Sequence, residues 1–246
     1  MDSYIGIITV RKECERFPFR SLCDIMGKSL IREVYSATNN WDKWKKVYVA
    51  TDDDGVNEEC KKNNIPCIMT SEYNYDALDR ASEVVNNLEL EHKDADRYVI
   101  IHGNEFIPDI GKILDTDINF LSIINFYTEI ENIYDMYNPN IIKVIFSKNK
   151  KALYFSRYAI PYHGNEVFMG NTIPIMYRSI GIYVFTGHML KVYNKLGSSS
   201  LEQHEGIGNN RLIENDIDIY MKYTNSKCIC VNMPTDRDKV ISLVKK

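Results

Sequence analysis

The amino-acid sequence predicts an α/β protein: a mostly parallel sheet with helices on both faces. Three observations carry this reading. Strand-like apolar runs alternate with helical patterns through the first half of the chain. The connections between them are short. The order strand, helix, strand, helix then calls for parallel strands covered on both sides.

Residues 5–10 form the first apolar run, and a helix is expected over 28–38. A second strand at 46–51 leads into a short helix at 56–63, and a third at 66–70 into a longer helix at 76–90. That helix carries Ala77, Ala81, Val84, Val85 and Leu88 on one face. Residues 97–102 read as the fourth strand. Ligands of such sheets bind beyond the carboxyl ends of the strands. Functional residues are therefore expected just after Val10, Thr51, Thr70 and His102.

The second half is less regular. Strands are expected at 121–126, 141–147, 152–156 and 180–185, and helices at 188–196, within 201–215 and at 236–245. The stretch 158–177 is rich in Pro, Gly, Asn and aromatics, among them Phe168, Met169 and Tyr177, and has no period. A segment of that length without structure of its own points to a functional flap or a subunit contact. The whole of 1–246 is read as one domain without internal repeats.

A chain of 246 residues buries roughly three quarters of its unfolded surface, so its core needs no staples. The net charge of -4, with both signs interspersed, carries no electrostatic footprint for a nucleic-acid polymer. Any phosphate must be held by a few placed cations. Met1-Asp2-Ser3-Tyr4 runs straight into the first strand, so no signal peptide is expected, and no apolar run approaches the roughly 20 residues of a membrane span. A cytoplasmic chain is expected. Cys14, Cys23, Cys60, Cys67, Cys228 and Cys230 are scattered, lack the C-x-x-C pairs of a zinc framework, and are expected to be reduced thiols.

Directly after the first strand stands Arg11-Lys12-Glu13-Cys14-Glu15-Arg16-Phe17-Pro18-Phe19-Arg20. Three arginines and a lysine at a strand end suit phosphate, because the guanidinium fork grips phosphate oxygens bidentately. The competing reading is a solvated basic loop. No G-x-x-x-x-G-K-[ST] is present, so this is not a Walker loop.

The stretch from Ile8 to Ile31, ending Leu22-Cys23-Asp24-Ile25-Met26-Gly27-Lys28-Ser29-Leu30-Ile31, resembles the amino-terminal motif of CMP-KDO synthetases, the 3-deoxy-manno-octulosonate cytidylyltransferases. Arg11, Arg16, Pro18, Leu22, Asp24, Ile25, Gly27 and Lys28 fall on matching positions. So do Val49-Ala50-Thr51-Asp52-Asp53, Met69-Thr70-Ser71 and Asp79-Arg80. Ala152-Leu153-Tyr154-Phe155-Ser156-Arg157 with Ile160-Pro161-Tyr162 continues the match, as do Ile180-Gly181-Ile182-Tyr183, Leu201-Glu202-Gln203, Glu205, Arg211 and Glu214-Asn215. The resemblance implies a nucleotide-diphospho-sugar transferase-like fold and a homodimer, with 126–186 as an acceptor-side and dimer-contact excursion. It implies attack by the anomeric hydroxyl of an acidic sugar on the α-phosphate of CTP, with Mg²⁺ bridging the phosphates.

Carried over residue by residue, Arg11, Arg16 and Arg20 hold the triphosphate, with Glu105 beside them as a further catalytic candidate. Asp76, Ala77, Arg80 and His102 lie near the nucleotide, and Arg157, Tyr183, Glu205, Asn209 and Arg211 on the acceptor side. The departures fall at the chemistry. The family's metal-ligand aspartates, in G-D-E-P and V-D-T-P-E-D-L, are here Asn104 and Asn232, so a weakened Mg²⁺ site is expected. The usual loop glycine is Phe19 and the usual lysine Arg20; the cation is kept, while a different loop path is expected. Asp76-Ala77 replaces Ser-Gly near the base, and Gly208 and Asn209 replace a Glu and a Gln that contact the sugar. The acceptor is thus expected to be a relative of KDO, or another acid, and not KDO itself.

Three readings follow. The first is a cytidylyltransferase acting on an acidic sugar for surface polysaccharide. The second is a noncatalytic nucleotide-binding homologue with a scaffold or regulatory role, favoured by Asn104 and Asn232. The third is a glycosyltransferase, for which Asp52-Asp53-Asp54 formally supplies a D-x-D. The arginines at strand ends favour the first, since a scaffold has no need of them.

Overall fold

The computed structural model describes residues 3–12, 16–116, 122–162 and 175–245. The chain forms two compact units, Met1–Ser122 with Gly181–Lys195 and Ser226–Lys246, and Ile123–Ile180 with Leu196–Asn225. The second unit holds residues 126–180 of the 126–186 stretch together with 196–225, while 181–186 belong to the first.

In the first unit, β1 (Tyr4–Val10) lies between β4 (Trp44–Thr51) and β6 (Arg97–His102), parallel to both. β5 (Cys67–Met69) extends the sheet in parallel beyond β4. The latter part of β11 (Tyr177–Phe185) pairs antiparallel with β6, from Ile182 opposite Ile101 to Phe185 opposite Tyr98. Every residue of β1 is buried, as a central parallel strand covered on both faces requires. Helices α1 (Leu30–Thr38), α2 (Asp54–Lys62) and α3 (Ala77–Leu90) follow β3, β4 and β5 respectively; β3 (Lys28–Ser29) and β2 (Asp24–Ile25) form a short hairpin ahead of α1. The latter two helices start where a carboxylate caps them. Asp53 accepts from the amides of Gly55 and Val56, and Asp76 from those of Leu78 and Asp79. A small antiparallel ribbon joins β7 (Glu105–Phe106) to β13 (Ile229–Cys230), ahead of the last helix, α9 (Pro234–Val244).

The second unit contains β8 (Ile123–Glu129), parallel to β12 (Tyr220–Tyr223), and the hairpin of β9 (Lys143–Phe146) with β10 (Ala152–Ser156). Arg178, in the first part of β11, pairs with Lys143. Tyr127 packs its ring against Phe146, Tyr177 and Tyr223, with centroids 4.6, 5.1 and 5.7 Å away. The helix expected within 201–215 is two short ones, α7 (Ser200–Glu205) and α8 (Asn209–Glu214). Gly206, at φ 62, ends α7 in the left-handed conformation that glycine adopts at least cost. The short helices α4 (Gly111–Leu114), α5 (Ile133–Tyr137) and the strand β12 were not anticipated, whereas α6 (Gly187–Leu196) was, one residue later. Most of the 158–177 stretch, Phe168 and Met169 included, lies outside the described residues, as does Leu121.

Lys143 is fully buried in this second unit. Its Nζ donates to the carbonyls of Asn138, Ile141 and Arg157 at 2.9, 2.7 and 2.8 Å, so all three ammonium protons have partners. Burial and the nearby Arg157 cation push its pKa down to about 8. The ammonium fixes the turn at 138–141 to the end of β10. Lys143→Met keeps the length but leaves three carbonyls unpaired, and is expected to cost about 3 kcal/mol in urea-induced unfolding. A change below about 1 kcal/mol would show that the ammonium is not an anchor.

Candidate active site

Arg11 and Lys12 leave the carboxyl end of β1, and the Lys12 amide donates to Asp52 Oδ1 at 2.8 Å. Residues 13–15 lie outside the described residues. The loop returns through a single 3₁₀ turn, Arg20–Leu22. Phe19, ahead of it, adopts φ 54 and ψ 25, the left-handed conformation a glycine takes freely. The backbone therefore adopts a glycine-like turn at this position with a phenylalanine on it, at a cost of about 1 kcal/mol. A small pocket lined by Arg11, Lys12, Phe19, Arg20, Ser21 and Asp53 opens here. A larger cavity of about 390 Å³, lined by Tyr48, Ile68, Leu88 and Leu90, contains none of the expected site residues.

The β7–β13 ribbon brings the two asparagines together. The Val231 amide donates to the Asn104 carbonyl at 2.7 Å, closing the ribbon. Asn104 Nδ2 then donates to Asn232 Oδ1 at 3.2 Å, with Cys230 Sγ at 3.1 Å and the Val231 carbonyl at 3.4 Å. Arg20 Nη1 donates to the same Asn232 oxygen at 3.4 Å. Asn232 Nδ2 reaches Cys230 Sγ at 3.2 Å, and its backbone amide is accepted by Asp236 at 3.1 Å. This donor set does not fit Mg²⁺, a hard cation that wants anionic oxygens. It offers neutral amides, a thiol and a guanidinium; the Asp236 carboxylate is turned to backbone amides, and the Asn232 side-chain oxygen already accepts twice. Among the described residues, no group of three or more His, Cys, Asp and Glu could hold a metal.

His102 ends β6 with its ring 5.4 Å from that of Tyr183. Gly181 is required for this: a Cβ there would come within 2.9 Å of the imidazole Nδ1. Burial, and then the Arg20 and Arg11 cations, push the His102 pKa down to about 4, so the ring is neutral at physiological pH. Glu105 is buried and accepts from the Gly181 amide at 3.4 Å. Arg80, also buried, pairs with Asp52 at 3.1 Å and donates to Thr70 Oγ1. It ties α3 to the ends of β4 and β5. Asp76 uses one carboxylate oxygen to cap α3, beginning at Ala77, and takes the Tyr193 hydroxyl on the other.

The acceptor-side residues Arg157, Glu205, Asn209 and Arg211 belong to the second unit; Tyr183 belongs to the first, beside His102. The Glu205 carboxylate accepts from the Arg157 amide at 2.8 Å, Ser156 Oγ at 2.6 Å and the Tyr154 hydroxyl at 3.0 Å. Burial would raise its pKa, but these donors outweigh it and hold the carboxyl below its ordinary value. Arg157 donates to the carbonyls of Glu205, Pro139 and Gly206 at 2.6, 2.9 and 3.3 Å. Arg211 forms a buried bidentate pair with Glu202, at 2.8 and 2.6 Å. Asn209 Nδ2 is buried without a hydrogen-bond partner. Sequence reasoning assigned no site role to Cys230, Tyr193, Lys143 or Glu202. Only Glu202 left a signal, as the third helical residue of a Ser-x-x-Glu capping box at Ser199.

A parallel sheet with a basic loop at the end of its first strand, and a neutral histidine at the end of its fourth, defines an α/β nucleotidyltransferase. The cytidylyltransferase family model matches residues 5–219, and the chain belongs to that family. The 3-deoxy-manno-octulosonate cytidylyltransferase of Thermodesulfovibrio yellowstonii is 32% identical over 242 residues, 94% of each chain. That of Parabacteroides distasonis is 30% identical over 253 residues, 99% of each. Among solved structures, a CMP:2-keto-3-deoxy-manno-octonic acid synthetase complexed with CTP is similar with a TM-score of 0.83, at 27% identity over 100% of this chain and 99% of that one. The glycosyltransferase reading is thereby set aside. No helix among the described residues is long and apolar enough to cross a membrane.

The folded His102 binds its proton more weakly than the unfolded imidazole does. Between pH 6.5 and about 4 the unfolded chain therefore takes up more protons, and acid favours unfolding. Stability attributable to His102 should fall by up to about 3 kcal/mol across this window. His102→Gln should flatten this part of the pH–stability curve. Superimposable curves for wild type and variant would refute the assignment.

Proposed function

We propose that the chain transfers CMP from CTP to an acidic, KDO-like sugar, releasing pyrophosphate. The observation that carries this is the Arg11–Arg20 loop at the end of β1, in a chain alike end to end to a synthetase solved with CTP. Negative charge accumulates on the departing pyrophosphate, and fixed guanidinium groups offset it without reorganising. Arg11, Arg16 and Arg20 take this role. His102, neutral beside them, is available to the nucleotide as a hydrogen-bond donor or acceptor. The base is met near α3, where Asp76 and Ala77 form the first turn and Arg80 stiffens the ends of the adjoining strands.

Asn209 supports an acceptor role for the second unit, because a buried amide without a partner is a place where a ligand oxygen would be welcome. Glu205 and Arg211 serve that side by shaping it: Glu205 fixes Arg157, and Arg211 fixes Glu202. Arg157 then supplies positive charge for the acceptor's carboxylate. Magnesium enters this reading as a counter-ion carried by the triphosphate. A homodimer, a cytoplasmic location and a product destined for surface polysaccharide, lipopolysaccharide or capsule, complete the proposal. The noncatalytic alternative rests on Asn104 and Asn232 alone, whereas the cationic strand ends are kept.

Calorimetric titration of CTP, UTP, GTP and ATP tests the nucleotide half. CTP is expected to bind at least tenfold more tightly than the other three. Pyrophosphate release, followed over a panel of 2-keto-3-deoxy sugar acids, tests the transfer. Equal affinity for all four nucleotides, or none for any, would overturn the proposal.

A further inference from the structure

Asn104 and Asn232 stand where this family keeps two aspartates, and the structure indicates what has taken over from the cation those carboxylates would face. Two carboxylates at the 3.2 Å separation of Asn104 Nδ2 and Asn232 Oδ1 would repel one another unless a cation stood between them. The carboxamides need none. The amino end of one faces the carbonyl end of the other, and Cys230 Sγ accepts from both side chains. Asn232 Oδ1 then accepts from Arg20 as well. That carbonyl is turned toward a guanidinium, and a divalent ion bound to the same oxygen would be brought against a fixed positive charge.

We infer that this node has exchanged a divalent cation for a protein cation: Asn104 and Asn232 position Arg20 against the nucleotide's phosphates, and triphosphate binding does not require a metal held by the protein. The inference deepens the cytidylyltransferase reading and rests on it for the identity of the triphosphate. Asn104 and Asn232 are positioning residues in this scheme. Arg20 is the group that touches the ligand. Its planar guanidinium carries five N–H donors, of which the bond to Asn232 uses one.

Two measurements decide it. The first is Mn²⁺ binding, followed by electron paramagnetic resonance of the free ion, for the wild type and for Asn104→Asp/Asn232→Asp without nucleotide. The wild type is expected to show no site tighter than about millimolar, and the double variant to gain one at least tenfold tighter. Submillimolar Mn²⁺ binding by the wild type, lost in Asn104→Ala, would overturn the inference whatever the protein does with CTP. The second is CTP affinity in EDTA and in Mg²⁺. The wild type should differ less than about threefold between the two. Arg20→Ala should lose at least tenfold in EDTA, and Arg20→Lys, which keeps charge but not the fork, should recover part of that. The double aspartate variant should become Mg²⁺-dependent. A wild type that binds CTP only with Mg²⁺, or an Arg20→Ala that folds and binds CTP normally in EDTA, would refute it. Failure of the wild type to bind CTP under both conditions overturns the proposed function instead, and the Mn²⁺ measurement still decides the node.

Discussion

The side-chain oxygen of Asn232 receives both Arg20 and Asn104, and with the bond from the Val231 amide to the Asn104 carbonyl it joins three separate stretches of chain. The loop after β1, the turn after β6 and the exit from β13 meet there. None of these bonds is strong by itself, since a neutral hydrogen bond contributes about 1 kcal/mol net. Their value lies in direction. Each restricts where the Arg20 side chain can stand, and a guanidinium that is already placed loses less side-chain entropy when a phosphate arrives.

The same economy governs the carboxylates near these strand ends. Asp52 is matched by Arg80 and the Lys12 amide, Asp53 caps α2, and Asp236 accepts from the amides of Asn232 and Met233. Asp76 caps α3 and holds the Tyr193 hydroxyl. These four carboxylates are thereby committed to backbone amides, Arg80 and Tyr193. The pKa of His102 is low because burial and the Arg20 and Arg11 cations make a third positive charge costly. In the second unit the logic is repeated with opposite signs. Glu205 is surrounded by donors, Arg157 by carbonyls, and Lys143 by three carbonyls, so the charged groups there act first as braces of the backbone.

Sequence patterns reported the first unit well because its strands and helices are local events. An apolar run followed by a capping carboxylate and a 3.6-residue period identifies β4–α2 and β5–α3 almost residue for residue. The arginines after β1 were legible because charge at a strand end has few other uses. What the patterns could not report is pairing across long separations. Nothing near Asn104 in the chain announces Cys230, 126 residues away, and Asn232 is coupled to it only through the family resemblance. Arg211 and Glu205 look like ligand contacts in one dimension; in three, Arg211 is closed off by Glu202 and Glu205 by its ring of donors. The break at Gly206 was missed for a different reason, since glycine lowers helix propensity by only about 1 kcal/mol and its left-handed φ is a tertiary choice.

Replacing paired carboxylates by paired carboxamides also changes when the site is assembled. With aspartates, the turn after β6 and the exit from β13 would repel until a cation arrived, so the metal would complete the fold there. With asparagines, the turn and the strand exit attract directly, and Cys230 Sγ accepts from the Nδ2 of each. The node is therefore complete in the protein alone. A preassembled site gives up the extra charge of a divalent ion, which is a real loss for stabilising a departing pyrophosphate. It gains a cation whose position is set by covalent structure and whose presence does not depend on the metal concentration around it. Arg20 can offset that loss only if its guanidinium is held in place, and both asparagines are needed for that: Asn232 to accept from Arg20, and Asn104 to orient Asn232.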